Sequence, residues 1–134
     1  VTVVLDTHVL VWLDEGSPRL GSRSRAAIER AFRAEELAVS AISFWEVAML
    51  QRKGRLELEG ESGEWRAELL RMGLIEIPVT GRIGIHAANL ERFHGDPADR
   101  LIVATAQSAG ARLFTADERI LDWAPRRLSS DARR

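Results

Sequence analysis

Residues 2–6, TVVLD, form an uninterrupted apolar run that ends in an acid. A strand with one wet face alternates apolar and polar residues; a run without alternation reads as a strand buried on both faces. Such a strand needs a covering layer above and below, which points to helices on both sides of a parallel sheet. The rest of the chain alternates accordingly. LAVS (37–40), LIEIP (74–78) and RLFT (112–115) read as further strands, and residues 126–134 as a weak last strand and a tail expected to fray. Helical patterns fill 7–16, 22–36, 41–54, 61–73, 80–90, 96–110 and 116–123, with Gly16, Gly54, Gly73 and Gly110 as stops. The expected fold is therefore α/β, a three-layer α/β/α sandwich around a central parallel sheet of four to five strands. A length of 134 residues fits one domain over 1–134.

Composition narrows the function classes. A net charge of −1 excludes a histone-like polycation, although 18 arginines stand against the single Lys53. The chain has no cysteine, so disulfides and thiolate metal sites are excluded and any metal must take oxygen or histidine ligands. That composition suits a reducing cytoplasm, the expected location. No stretch approaches the roughly 18 apolar residues of a membrane span, and VTVVLD is too short and lacks the basic leader of a signal peptide.

In open α/β sheets, ligands bind beyond the carboxyl ends of the strands. Asp6 ends the first strand there, and Asp117 lies two residues past LFT. The helix of GDPADRLIVATA (95–106) must start at the same edge if it feeds the fourth strand, which brings Asp96 and Asp99 to that side. Glu46 has two readings. SFWE (43–46) matches a capping box, in which Glu46 reaches back to Ser43; but Ser40 directly follows a strand and is the better cap. In that case Glu46 lies inside the helix on one face with Ile42, Met49 and Leu50, an expensive place for an unpaired carboxylate. Each acid also has a local explanation: Asp6 in a turn, Asp96 as an N-cap before Pro97, Asp99 favouring its helix dipole, Asp117 as a cap. Gathered at one edge they would repel and raise one another's pKa unless a cation neutralised them. Hard oxygen ligands point to Mg²⁺ or Mn²⁺, ions that orient phosphate oxygens and activate water.

The segments VLDTHVLVWL, VSAISFWEVAML, HGDPADRLIVATA and LFTADERI, in this order, resemble the PIN-domain ribonucleases, specifically the VapC-type toxins of bacterial toxin–antitoxin pairs. The resemblance covers nearly the whole chain and implies the PIN-like version of the three-layer fold. It implies Asp6, Glu46, Asp99 and Asp117 as the acidic quartet that holds Mg²⁺ or Mn²⁺, with Asp99 rather than Asp96 as the central acid. Thr7, Ser43 and Thr115 match the small hydroxyl positions beside the acids, and Asp96 caps or assists. Ala98 stands where variants often carry an aromatic. The implied reaction is endonucleolytic hydrolysis of an RNA phosphodiester, with metal-activated water attacking phosphorus and the 3′-oxygen departing. The implied partners are RNA, a cognate VapB-like antitoxin whose segment covers the active site, and a second copy of the chain, giving a homodimer and a heterotetramer or larger assembly with antitoxin. The alternatives are a PIN nuclease outside a toxin pair and a catalytically silent PIN-like binding module.

Arg100, next to Asp99, is expected to contact phosphate or orient an acid. His8 and His94 are read first as polar helix-start and loop residues, with metal or RNA contact as the second reading; His86 is read as surface or packing. Trp12 and Trp45 are candidates for an antitoxin groove. Arg126, Arg127, Arg133 and Arg134 read as a solvated tail. Two phosphoryl-transfer rivals fail on named residues: a haloacid-dehalogenase-type phosphatase wants an Asp where His8 stands, and a receiver domain wants a Lys near its last strand, whereas Lys53 is mid-chain.

Overall fold

The computed structural model describes residues 1–134. Five strands, β1 (Val3–Leu5), β2 (Leu37–Ser40), β3 (Ile75–Ile77), β4 (Arg112–Thr115) and β5 (Ser129–Asp131), form one sheet in the order β3-β2-β1-β4-β5. Every neighbouring pair is parallel. The helices are α1 (Thr7–Glu15), α2 (Ser22–Arg33), α3 (Ala41–Arg52), α4 (Ser62–Met72), α5 (Gly81–Ala88), α6 (Pro97–Ala109) and α7 (Glu118–Trp123). No helix is long and apolar enough to cross a membrane.

The period-two geometry of β1 divides the core. Val3 and Leu5 face one layer with Val9 and Leu10 of α1, Ile28 of α2, Val47 of α3 and Trp65 of α4. Val4 faces the other with Ile102, Val103 and Ala106 of α6 and Ile120 of α7. Alpha-5 packs on α6 through Ile83, Ala87 and Ala104. Val4 and Leu5 are wholly buried, as the unbroken apolar run requires. Fully burying one such side chain contributes about 1.5–3 kcal/mol.

The chain runs outward from β1 to β2 and β3, then returns to place β4 on the other side of β1. Strand order therefore reverses between β1 and β4, and their carboxyl ends flank the crevice where this class of sheet binds ligands.

The expected fraying tail is corrected. Beyond β5, Ala132 is wholly buried and its carbonyl accepts from Gly21 N, while Arg23 N donates to the Arg134 carbonyl. Arg133 pairs with Asp131 and Glu118 instead of lying free in solvent. Gly21 makes this approach possible: a Cβ there would sit 2.1 Å from the Arg134 carbonyl carbon. Arg126 and Arg127 are exposed, as expected.

Candidate active site

Asp6 follows β1 directly and caps α1, accepting from Thr7 N at 2.8 Å. Its other oxygen accepts from the Thr115 hydroxyl at 2.6 Å, from the end of β4. Both residues are buried, so this bond ties together the two strands that flank the crevice. Burial pushes the Asp6 carboxyl above its ordinary range, against the lowering effect of the Thr115 and Thr7 hydrogen bonds.

Ser40 is the cap of α3, accepting from Ile42 N, and Glu46 lies inside the helix, so the capping-box reading is set aside. Glu46 Oε1 bonds to the Thr7 hydroxyl, which is also 2.9 Å from Ser43 Oγ. Thr7 has one hydroxyl proton. An ionised Glu46 can only accept, so Thr7 donates to it and accepts from Ser43. The result is a line of bonds, Ser43 to Thr7 to Glu46, from the buried wall to the crevice. Burial is the largest influence on Glu46 and raises its pKa; the Thr7 bond lowers it, and the charges of Asp6 and Asp96 raise it further.

Asp96 caps α6 by accepting from Asp99 N at 3.1 Å, with Pro97 at the first helical position. Asp99 is 9% exposed and its pKa is pushed up to about 7, first by burial and then by the negative charges of Asp6, Asp96, Asp117 and Glu46. Those mutual influences place all four expected acids in one electrostatic cluster. Asp117 caps α7 through Arg119 N at 2.8 Å. Burial pushes Asp117 up, but the hydrogen bonds from Arg119 outweigh it and hold the carboxyl below its ordinary range.

Two residues join this edge beyond the expected acids. Arg119 Nη2 lies 3.2 Å from Asp117 Oδ2 and 3.5 Å from Asp99 Oδ2. It went unassigned in the sequence, where ADERI reads as an ordinary helix start; the local signal was an arginine two residues after a capping aspartate. His94 stacks on Phe93 and points Nε2 to within 3.3 Å of Asp99 Oδ2, buried and without a hydrogen-bond partner. Asp96 N donates to His94 Nδ1 at 3.4 Å, so in the neutral ring Nε2 carries the proton. Donor atoms of His94, Asp99 and Asp117 all lie within 4.8 Å of one another. In this tautomer His94 offers an N–H rather than a lone pair, which leaves a donor set of carboxylate oxygens. An all-oxygen set fits a hard divalent cation.

Arg100 is corrected. Its guanidinium donates to the carbonyls of Ala87, Ala88, Leu90, Phe93 and His94, and it forms no ion pair with an acid. Arg100 therefore ties down the loop that carries His94. His86 bonds Gln107 away from the acids. Of the tryptophans, Trp12 packs on the core, Trp65 is buried and bonds Asp14, and Trp45 is 53% exposed beside Glu46 on α3.

The model of the PIN domain matches residues 3–124. The chain belongs to the PIN-domain family. This PIN domain is 40% identical over 120 residues to "Ribonuclease VapC22" of Mycobacterium tuberculosis (strain ATCC 25618 / H37Rv), with 89% of each chain covered. Two solved structures share its fold at low identity. A toxin–antitoxin complex from Klebsiella pneumoniae matches with a TM-score of 0.63 and 21% identity over 98% of each chain. VapBC2 from Rickettsia felis, bound to a promoter DNA fragment, matches with a TM-score of 0.68 and 17% identity over 98% of this chain and 100% of that one. The three-layer parallel fold expected from TVVLD is thus the PIN fold.

Proposed function

We propose that this PIN domain is a metal-dependent endoribonuclease that hydrolyses RNA phosphodiesters as the toxin of a type II toxin–antitoxin pair. The carrying observation is the chain of contacts that links Asp6, Glu46, Asp99 and Asp117, from four separate elements, across the ends of β1 and β4. Thr7 joins Glu46 to Asp6, Thr115 joins Asp6 to Asp117, and Arg119 joins Asp117 to Asp99. The identity to "Ribonuclease VapC22" along most of both chains supports the reaction and the toxin role. Asp6, Glu46 and Asp99 would hold Mg²⁺ or Mn²⁺, with Asp117 holding a second ion or its waters. A cation held there supplies positive charge that acidifies water and stabilises charge developing on phosphoryl oxygens.

The chain's own residues supply the rest. Thr115 and Thr7 hold the Asp6 and Glu46 carboxylates in fixed orientations by donating protons to them. The His94 Nε2–H is buried 3.3 Å from Asp99 Oδ2, an N–H directed at that carboxylate. Asp99, its pKa pushed up to about 7 in the bare fold by burial and by the surrounding carboxylates, is an acid that a cation would return to its charged form. Partners under this reading are RNA, a VapB-like antitoxin and a second copy of the chain, in the cytoplasm.

Purified protein incubated with RNA and Mn²⁺ tests the reaction. Cleavage by the wild type that disappears with EDTA, and in Asp6→Asn and Asp99→Asn, is the expected result. Wild-type protein without Mn²⁺- or Mg²⁺-dependent cleavage would leave only a binding module. Induced expression in a bacterium tests the toxin role: arrest by wild type and growth with Asp99→Asn is expected.

A further inference from the structure

Arginines in this molecule make two kinds of carboxylate pair. Arg66 grips Glu76 with both Nε and Nη2 at 2.8 Å, the length of a strong charge-assisted fork. Arg133 holds Asp131 by two bonds of 2.9 Å. Arg119 differs. Its contacts to side-chain oxygens are 3.4 Å and 3.2 Å at Asp117 and 3.5 Å at Asp99, spread over two carboxylates and optimal for neither. Its side chain remains 59% exposed, whereas those of Asp99 and Asp117 are 12% and 24% exposed. A solvent-exposed cationic arm thus rests on two largely buried acids.

The oxygens it touches, Asp99 Oδ2 and Asp117 Oδ2, belong to the proposed metal site, so a divalent cation and the Arg119 guanidinium compete for them. We propose that Arg119 exchanges partners: it neutralises Asp99 and Asp117 until a divalent cation takes their oxygens, and its released guanidinium then binds a phosphate of the RNA at the crevice. This rests on the reading of the acids as a metal centre. The planar fork matches phosphate geometry as well as carboxylate geometry. An anchor at the second residue of α7, itself capped by Asp117, keeps the swinging arm beside the site. Arg119 is a phosphate-binding residue under this inference, and metal and RNA binding become coupled through it.

Calorimetric Mn²⁺ titration and steady-state RNA cleavage on the same proteins test the exchange. Arg119→Gln removes the competitor and the phosphate contact together. It is expected to bind Mn²⁺ about two- to fivefold more tightly, the scale of a partly exposed ion pair, while KM for RNA rises roughly tenfold, the scale of a charged hydrogen bond. Arg119→Lys keeps a charge but not the fork; its Mn²⁺ affinity should return toward wild type while KM stays raised. Unchanged or weaker Mn²⁺ binding by Arg119→Gln overturns the inference, as does an unchanged KM. Asp99→Asn is the control for the underlying reading. If it binds Mn²⁺ as wild type does, the metal centre itself is misassigned, and that result is distinct from any outcome at Arg119.

Discussion

The two flanks of the acidic crevice are held in different ways. On the β1–α3 flank, Asp6 and Glu46 are fixed by hydroxyl donors, Thr115 and Thr7, within a buried line that reaches back to Ser43. On the α6–α7 flank, Asp99 and Asp117 face cationic or N–H groups, Arg119 and His94, at 3.2–3.5 Å. Neutral hydroxyls orient a carboxylate without cancelling its charge, so they leave that charge for a cation. A guanidinium cancels charge and must move when another cation arrives. The crevice therefore combines a preorganised half with an adaptable half.

The largest expected effect comes from removing an acid on either flank. Asp6→Asn or Asp99→Asn should lower Mn²⁺-dependent RNA cleavage by more than the roughly 10–100-fold typical of groups that only support a ligand. Equal losses on both flanks would show that the adaptable half is as necessary as the rigid one. Thr7→Val should fall within that 10–100-fold band, because it keeps the shape but leaves Glu46 without its donor. A Thr7→Val enzyme with wild-type cleavage rates would show that the hydroxyl line only stabilises the fold.

Stability against pH separates the flanks without any activity assay. In EDTA, folded Asp99 keeps its proton up to about pH 7, against an ordinary value of 3.8. Between those values the folded state binds more protons than the unfolded one, so this group's contribution to stability falls as pH rises through the window. Asp99→Asn should therefore be more stable than wild type at pH 8, by up to a few kcal/mol, with the gap closing toward pH 4. Thermal melts at several pH values measure it, and a gap independent of pH would show that Asp99 is not strained by ionisation. The smallest effect is expected at the remote end of the line: Ser43→Ala should cost about 1 kcal/mol of stability and less activity than Thr7→Val.

Much of this arrangement was legible in the sequence because short strands and their terminal acids are local signals. TVVLD announced β1 and Asp6, and Ser40 announced the start of α3 and hence the depth of Glu46. Helix ends were less legible. Residues 34–36 read as helix, yet α2 stops at Arg33 and Glu35 takes a left-handed φ of 59° as the chain turns into β2. What failed was long-range. Arg100 beside Asp99 looked like a site residue, but on a helix neighbouring positions point about 100° apart, and it turned to the carbonyls of residues 87–94. Ala132 and Arg134 looked free because their partners, Gly21 and Arg23, lie more than a hundred positions away. Arg119 was overlooked because the second carboxylate it contacts, Asp99, comes from another helix.

The bond from Thr115 to Asp6 spans 109 positions. Beta-1 cannot complete its pairing until β4 exists, so closing the crevice requires ordering a very large loop, the kind of contact that makes folding slow. During synthesis the first acid emerges long before the strand that orients it. A nascent or truncated chain lacking residues 112–131 would carry Asp6, Glu46 and Asp99 without a completed crevice. The topology thus leaves the crevice incomplete until residues 112–115 are free to pair with β1.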